Sequence, residues 1–344
     1  MIQVESLTKE YGGRAAISDV SFSVAKGEIL GFLGPNGAGK TTTMRILTGY
    51  IPPTSGHASI AGHDVETDSL EARGHIGYLP ESVPLYSEMT VWDYLEFVAR
   101  IRDVPRALRE NKIDVAMEKL NITDVADRRI GKLSKGYRQR VGIAQAVLHE
   151  PDVMILDEPT EGLDPRQRNE TRKLIRELGK EHTIILSTHI LPEVETTCDR
   201  VVIINNGRIV AADRPQDLSN RLKRGQRIEM LVKAEEPHIR MALQHVPGLV
   251  HVLTEPVPDN LRRVMIEGKP DAELRHTLAR AIVNADIDLY ELHAESVSLE
   301  DIFLRLTTRD QEAAPDASRE EQDRVERERV QERALGILEE RKPE

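Results

Sequence analysis

A glycine-rich stretch, GPNGAGKT at residues 34–41, has residue types and spacing suited to binding phosphate groups. It matches the pattern G-x-x-x-x-G-K-T, follows the apolar run EILGFL and opens a stretch of helical character, which is the context that this motif requires. Glycines let successive backbone N–H groups turn towards phosphate oxygens, and a helix N-terminus adds a positive dipole end. An ordinary glycine-rich turn is the alternative, and the complete pattern with both flanks disfavours it.

The same stretch carries candidate ligands for a triphosphate and for Mg²⁺. The ammonium group of Lys40 can neutralise the β and γ phosphates, and the hydroxyl of Thr41 can bind the cation. We therefore predict a P-loop that binds a nucleoside triphosphate together with Mg²⁺. Its predicted ligand-binding residues are Gly34, Pro35, Asn36, Gly37, Ala38, Gly39, Lys40, Thr41 and Thr42.

Two acidic residues, Asp157 and Glu158, stand at the carboxyl end of the apolar run VMIL. Behind a P-loop, an acid in this place can hold Mg²⁺, and the acid that follows can polarise an attacking water. We predict that Asp157 binds the metal and that Glu158 is the general base. Taken alone, the pair also fits a surface loop that Pro159 ends.

His189 closes the apolar run TIILST, which we assign to the same sheet. A neutral imidazole in this place can contact the γ phosphate and orient the water, so we predict a catalytic role for His189. The alternative is a histidine that only supports the end of its strand.

The stretch LSKGYRQR at 133–140 places Ser134 and Gly136 before a helical run, far along the chain from the P-loop. A hydroxyl, an exposed backbone amide and a helix N-terminus together suit a γ phosphate, and a β-carbon at position 136 would crowd its approach. Ser134 can equally be the N-cap of the helix. Nothing in the adjoining sequence supplies a ligand for these groups.

Over residues 1–220 the predicted strands and helices alternate, which positions these motifs on one α/β domain. Short apolar runs closed by polar residues, at 27–34, 151–159 and 182–189, suit strands that are buried on both faces of a parallel sheet. Chemistry in such sheets lies at the carboxyl ends of the strands. The run VVIINNGRIVAA predicts a hairpin.

Residues 88–147 are predicted to be mostly helical, with breaks at Pro105 and at 121–124. Residues 221–308 predict a small α+β accessory domain with the order βαββαβ, compatible with a ferredoxin-like sandwich. Residues 309–344 mix glutamate and arginine around few apolar side chains, which predicts a charged helical or disordered tail, with a partner-binding helix as the alternative.

The composition bounds the function of this 344-residue chain. Its formal net charge of −11 argues against a nucleic-acid partner, since phosphate binding by a broad face needs clustered lysine and arginine. The only cysteine is Cys198, which rules out an internal disulfide and fits a reducing compartment. We see no secretory leader and no apolar run near the ~20 residues of a membrane helix, so no direct membrane insertion is predicted.

Taken in order, these motifs resemble those of the ATP-binding cassette (ABC) ATPases over residues 1–220. The resemblance implies an α/β fold, a P-loop NTPase ABC cassette with a mixed sheet core, an antiparallel β subdomain and a helical subdomain. It also implies ATP as the nucleotide. The motifs that carry it are the P-loop at 34–41, YLPE at 78–81, LSKGYRQR at 133–140, ILDEP at 155–159, GLDP at 162–165 and STH at 187–189.

The resemblance adds roles that the residues alone do not give. Two cassettes, as a predicted homodimer, would pack head to tail, so that Ser134 and Gly136 cap the ATP held by the other copy. Tyr11 would stack on adenine, although a core tyrosine is the alternative. Asp164 would link the two sites, and Glu81, where the family commonly has glutamine, would bind Mg²⁺ through oxygen.

The resemblance further implies a partner, an integral membrane ABC permease on a separate chain. A groove near residues 81–95 would receive a cytoplasmic helix of that permease, and its candidate apolar contacts are Leu85, Tyr86, Met89 and Trp92. The alternative is that some of the four are core residues, and for Trp92 we favour the core. The stretch SLEDIFLRLT at 298–307 looks like the closing segment of subunits paired with type-2 exporters. We expect a cytoplasmic protein, peripheral on the inner face of the membrane, that energises export.

Three other functions fit parts of the same pattern. A translation or DNA-repair ATPase of this family would carry two cassettes or a long coiled coil, whereas each motif occurs once here and the interval from Lys40 to Asp157 is short. A regulatory nucleotide-binding module would not need Glu158 and His189. An importer subunit is the third alternative, and the closing segment and Glu81 favour export over it.

Overall fold

The computed structural model describes residues 1–222, 226–269 and 274–295. The amino-terminal part is a four-stranded antiparallel sheet in the order β2-β1-β4-β5. Its strands are β1 (Ile2–Tyr11), β2 (Arg14–Val24), β4 (Ser55–Ile60) and β5 (His63–Asp64). In β2, buried residues alternate with exposed ones towards its end, as expected of a sheet with one face on the core.

A six-stranded sheet in the order β10-β9-β3-β8-β7-β6 follows. Strands β3, β6, β7, β8 and β9 run parallel to one another, and the edge strand β10 pairs antiparallel with β9. All residues of β3, β7 and β8 are buried, as their apolar runs predict. The strands are β3 (Ile29–Leu33), β6 (Ile76–Leu79), β7 (Val153–Asp157), β8 (Thr183–Thr188), β9 (Arg200–Asn205) and β10 (Arg208–Asp213).

One hydrophobic core joins the two sheets with the helix that follows the P-loop. Phe22 of β2 and Phe32 of β3 meet in it with their ring centroids 5.4 Å apart. Helices pack around the sheets at α1 (Lys40–Leu47), α2 (Ser69–Gly74), α3 (Val91–Ile101), α4 (Arg106–Lys119), α5 (Lys135–Val147), α6 (Pro165–Leu178), α7 (Leu191–Thr197) and α8 (Pro215–Leu222).

The helical region 88–147 has its breaks where the sequence places them. Helix α3 starts at its N-cap Thr90, whose hydroxyl accepts a hydrogen bond from the Asp93 N–H at 3.1 Å. Helix α4 begins directly after Pro105, and the chain leaves it at Asn121, whose φ of 51° is left-handed. Buried aliphatic side chains hold the region together.

Residues 226–269 and 274–295 contain a second hydrophobic core and an antiparallel sheet in the order β12-β13-β11-β14. The βαββαβ order predicted from the sequence is the one observed. The elements are β11 (Gln226–Lys233), α9 (Glu236–Leu243), β12 (Leu249–Val257), β13 (Leu261–Gly268), α10 (Leu274–Asn284) and β14 (Asp288–Glu295). The predicted segment 298–307 and the tail 309–344 lie outside the described residues, and the boundaries at 220 and 308 remain predictions.

Candidate nucleotide site

The P-loop connects β3 to α1 at the carboxyl end of the central sheet, where parallel α/β sheets bind their ligands. The N–H of Gly34 donates to the Thr188 carbonyl at 3.3 Å, which joins the start of the loop to the end of β8. Gly39 has a φ of 107°, and a Cβ there would lie 2.6 Å from Cγ2 of Ile17 and 2.9 Å from the Ala16 carbonyl. Only glycine fits this position without strain.

Lys40 begins α1 and is buried beneath the loop. Its ammonium group donates to the carbonyls of Gly34 at 2.9 Å and Pro35 at 3.2 Å, and it lies 3.2 Å from Oε1 of Glu158. The loop carbonyls and the carboxylate thus fix the lysine Nζ at the place where the P-loop and the end of β7 meet. A phosphate group that enters here meets a positioned cation.

Asp157 is the last residue of β7 and is fully buried. The Ser187 hydroxyl donates to its Oδ1, whereas Oδ2 receives no well-aligned hydrogen bond from the described residues. Burial raises the pKa of Asp157, and the hydroxyls of Ser187 and Thr41 act in the opposite direction. A buried carboxylate oxygen without a good donor, close to a threonine hydroxyl, is a suitable oxygen ligand for a hard cation.

Glu158 follows β7 with a φ of 49°, a left-handed conformation that is uncommon for a residue with a side chain. Its N–H donates to the carbonyl of Ser187 at 3.1 Å and lies 3.2 Å from the Ser187 Oγ, which anchors it to β8. Oε2 of Glu158 lies 3.0 Å from Nδ1 of His189. The carboxylate is therefore buried between an ammonium group and an imidazole, with Oε1 towards Lys40 of the P-loop and Oε2 towards His189.

A cleft of about 270 Å³ opens over the P-loop. Its lining includes three carboxylates, from Glu81, Glu158 and Glu161, against the single buried cation of Lys40. A triphosphate that enters alone meets electrostatic repulsion, so the cleft favours a triphosphate that carries a divalent cation. The lining residues are Ala16, Asn36, Gly37, Gly39, Lys40, Thr41, Thr42, Glu81, Glu158 and Glu161.

The cleft brings together most of the predicted P-loop residues with Glu81 and Glu158. The buried loop residues Gly34 and Ala38 and the half-buried Pro35 support the loop and do not line it. Asp157 and His189 do not line the cleft. His189 contacts Glu158, which does. Two lining residues, Ala16 and Glu161, were not predicted as site residues from the sequence. The GLDP stretch that follows Glu161 drew attention to its neighbourhood but not to its place in the cleft.

Ser134 and Gly136 are not among the lining residues of their own chain's cleft. The Ser134 hydroxyl caps α5 and accepts from the Tyr137 N–H at 3.4 Å, so the N-cap alternative is realised. Gly136 was expected before the helix, but α5 already begins at Lys135 and Gly136 lies in its first turn. A Cβ on Gly136 would lie 2.9 Å from the side chain of Gln167 on α6.

Two side chains at this helix start, those of Lys135 and Tyr137, lie close to other segments. Lys135 extends along Gly162, and its Nζ would lie 2.1 Å from a Cβ at that glycine. The Tyr137 hydroxyl donates to Asp124 at 2.8 Å. The Lys135 side chain therefore lies against the loop before α6, and Tyr137 joins α5 to the segment that precedes it.

Two further predicted residues lie at the margin of the site. Asp164 is the N-cap of α6, and its Oδ1 accepts from the Gln167 N–H at 2.9 Å. Tyr11 is 51% exposed, with the Lys9 Nζ 5.4 Å from its ring centroid, so it is not a core residue. Its open aromatic face is available for stacking.

A P-loop between a buried strand and a helix, with carboxylates at the end of a nearby parallel strand, defines the class of P-loop α/β ATPases. A family model described as ABC transporter matches residues 17–161. The linearmycin resistance ATP-binding protein LnrL of Bacillus subtilis is 32% identical over 312 residues, which cover 90% of this chain and 99% of that protein. The bacitracin transport ATP-binding protein BcrA of Bacillus licheniformis is 36% identical over 308 residues, 89% of this chain and 97% of that protein.

A solved structure described as the ATP binding subunit of an ABC transporter has 32% identity and a TM-score of 0.59, and the match covers 64% of this chain and 92% of that one. The chain therefore belongs to the ATP-binding subunits of ABC transporters, and it is an ATPase. Subunits of this family dimerise and work with membrane permeases. Within the described ranges, no helix has both the length and the apolar character needed to span a bilayer. The comparisons give no support to a role in translation, repair or regulation alone.

Proposed function

We propose that this chain is the Mg²⁺-dependent ATPase subunit of an exporter, in which two copies share each ATP. The observation that supports this most is the position of Glu158, buried beside the P-loop between Lys40 and His189. Glu158 would take the proton of the attacking water, Lys40 would neutralise phosphate charge, and His189 would hold the carboxylate and contact the γ phosphate.

Mg²⁺ fits the residues predicted to hold it. Thr41, Glu81 and Asp157 line one groove that adjoins the cleft, and Oδ2 of Asp157 lacks a good donor. When bound there, Mg²⁺ would balance the charge of the triphosphate. Asp157 holds its orientation through the hydroxyl of Ser187, and Thr41 is fixed by the start of α1.

The location of Ser134 and Gly136 supports a site shared between copies. Both lie at the start of α5, a 13-residue helix, and neither lines the cleft of its own chain. The Lys135 side chain lies close to Gly162, two residues before Asp164 in the stretch that precedes α6. We assign all three groups, the α5 start, Gly162 and Asp164, to the surface that covers the cleft of the second copy.

A groove of about 590 Å³ beside the cleft supports the docking of a permease helix. Three tyrosines and two prolines form its apolar wall: Tyr50, Tyr78, Tyr94, Pro80 and Pro84. None of the contacts predicted from the sequence, Leu85, Tyr86, Met89 and Trp92, lines this groove. Trp92 is half-buried rather than part of the core. Because Glu81 and Thr41 line both the groove and the ATP cleft, a helix in the groove would sense the nucleotide.

Export and the cytoplasmic membrane face are proposed from the relatives. Two full-length relatives are named for linearmycin resistance and for bacitracin transport, which supports outward movement of antibiotic-like compounds. The test of the proposed function is hydrolysis of ATP by purified chain with and without Mg²⁺, beside a Glu158→Gln variant. Mg²⁺-dependent hydrolysis that the variant lacks supports the proposal, whereas equal rates would refute the assignment of the base.

A further inference from the structure

Glu193 is a fully buried carboxylate on α7 that the proposed mechanism does not use. It lies outside the lining of the ATP cleft. Burying a carboxylate is unfavourable unless strong partners compensate the lost hydration. An apolar side chain of similar size would fill the same volume and is often no less stabilising than a buried ion pair. Packing alone therefore does not explain why a glutamate is buried at position 193.

The partners of Glu193 come from three different segments. Its Oε1 accepts from the Thr160 hydroxyl at 2.5 Å and lies 3.7 Å from Nε of Arg168. Its Oε2 accepts from the Thr188 hydroxyl at 3.0 Å. Both threonines are themselves buried, so these hydrogen bonds lie away from competing water.

Each threonine stands next to a proposed catalytic side chain. Thr160 lies two residues after Glu158, and Thr188 directly precedes His189. The Thr188 Oγ1 also accepts from the Ile190 N–H at 3.0 Å, which fixes the chain on the other side of His189. The Glu193 carboxylate thus holds together the two loops that carry Glu158, the proposed general base, and His189.

The backbone conformation of Glu158 needs support from neighbouring residues. Its left-handed φ of 49° is strained for a residue with a side chain, and such strain persists only where the surroundings over-determine it. The Ser187 contacts hold the N–H of Glu158 on one side. The bond from Thr160 to Glu193 holds the chain on the other side.

We infer that Glu193 is a positioning residue for ATP hydrolysis. Through its bonds to Thr160 and Thr188, it keeps the side chains of Glu158 and His189 correctly placed relative to each other. The inference rests on the proposed roles of Glu158 and His189. It assigns Glu193 an effect on the rate of hydrolysis and not on ATP binding, because Glu193 does not line the ATP cleft.

The test compares Glu193→Gln with Glu195→Gln, a matched change of an exposed glutamate on the same helix. An amide has one accepting oxygen and a nitrogen that donates, so one threonine hydroxyl loses its carboxylate acceptor and the charge-assisted hydrogen bond with it. We expect kcat to fall by about 10- to 100-fold in Glu193→Gln, since small misplacements of reacting groups have effects of that size. The KM for ATP and the binding of a fluorescent ATP analogue should stay unchanged, and Glu195→Gln should match the wild type throughout.

A second pair of variants tests the inference if Glu193→Gln does not fold. Thr160→Val removes the hydroxyl at nearly constant volume, and Thr160→Ser keeps it. We expect kcat to fall in the valine variant and to be restored towards the wild-type value in the serine variant, with both variants folded at the assay temperature. Equal kcat in the two Thr160 variants, or an unchanged kcat in folded Glu193→Gln, would overturn the inference.

Glu158→Gln is measured in parallel to separate this inference from the proposed function. If Glu158→Gln is inactive while Glu193→Gln is fully active, only the positioning role fails. If Glu158→Gln hydrolyses ATP at the wild-type rate, the proposed base fails, and the positioning role fails with it.

Discussion

The Nδ1 atom of His189 lies 3.0 Å from Oε2 of Glu158, and the two residues come from the ends of adjacent parallel strands, β8 and β7. Lys40 stands 3.2 Å from the other carboxylate oxygen. A buried carboxylate held between an imidazole and an ammonium group has a fixed orientation. The proposed mechanism depends on this orientation, because a general base acts only within hydrogen-bond reach of the water it activates.

Replacing Glu158 by glutamine should separate ATP binding from hydrolysis. The amide fills the same space but cannot take a proton, so we expect kcat to fall by about 10²- to 10⁴-fold. ATP should still bind, because Lys40 and the loop amides remain, and the ATP-bound dimer should accumulate. Rate measurements and size-exclusion chromatography with ATP check both parts. A variant that loses ATP binding together with hydrolysis would contradict this division of roles.

Glu81→Gln should alter the dependence of hydrolysis on Mg²⁺. Glu81 lines the cleft beside Thr41, and the variant keeps an oxygen ligand while it loses the charge that attracts the cation. For an exposed carboxylate we expect the half-saturating Mg²⁺ concentration to rise by roughly fivefold. The control is Glu118→Gln, an exposed glutamate on α4. Superimposable Mg²⁺ titrations of Glu81→Gln and wild type would remove a role for this residue at the metal.

Gly39→Ala should damage the P-loop itself. Its φ of 107° and the nearby Ala16 carbonyl leave no room for a methyl group, and the left-handed conformation adds about 1–2 kcal/mol of strain. We expect ATP affinity to drop below detection by isothermal titration calorimetry. Gly74→Ala is the matched control, because no atom lies within 4 Å of a Cβ there. An alanine at position 39 that binds ATP normally would show that the loop adopts another conformation.

Acid should destabilise the folded protein through His149. Burial lowers its pKa to about 4, below the ordinary value of 6.5, while its Nε2 lies 3.1 Å from the Ile76 carbonyl. Between these values the unfolded chain binds a proton that the folded protein excludes, so the free energy of unfolding decreases as the pH falls from about 6.5 to about 4. Melting curves across this range should show the decrease.

His149→Gln keeps a donor for the Ile76 carbonyl but cannot gain the proton. We expect its melting temperature to depend less on pH in this window than that of the wild type. His57→Gln removes a histidine whose side chain is 84% exposed and serves as the control. Equal pH dependence in all three proteins would exclude His149 as the responsible group.

The elements that position the site follow from local patterns in the sequence. Strands β3, β7 and β8 are buried on both faces, which leaves continuous apolar runs that end in polar residues. The β9–β10 hairpin follows from its turn residues, since Asn206 and Gly207 both have the positive φ that this turn requires.

The contacts between segments could not be predicted in the same way. The bonds of Glu193 to Thr160 and Thr188 depend on how α7 packs beside two strands, and no periodicity encodes that packing. The proximity of Lys135 to Gly162 likewise joins residues that are far apart in the sequence. The start of α5 differed by two residues, because glycine is a poor helix former and its tolerance in a first turn depends on packing against α6.

The shared site is tested most directly by mixing a Lys40→Ala copy with a Ser134→Ala copy. Each variant alone has a defect in both clefts of its dimer, whereas a mixed dimer pairs one intact P-loop with one intact α5 start. At equal mixing about a quarter of all clefts should be intact, since half of random pairs are mixed and each holds one such cleft. ATP hydrolysis that returns on mixing is the predicted result, and two inactive variants that stay inactive together would contradict a nucleotide held between two copies.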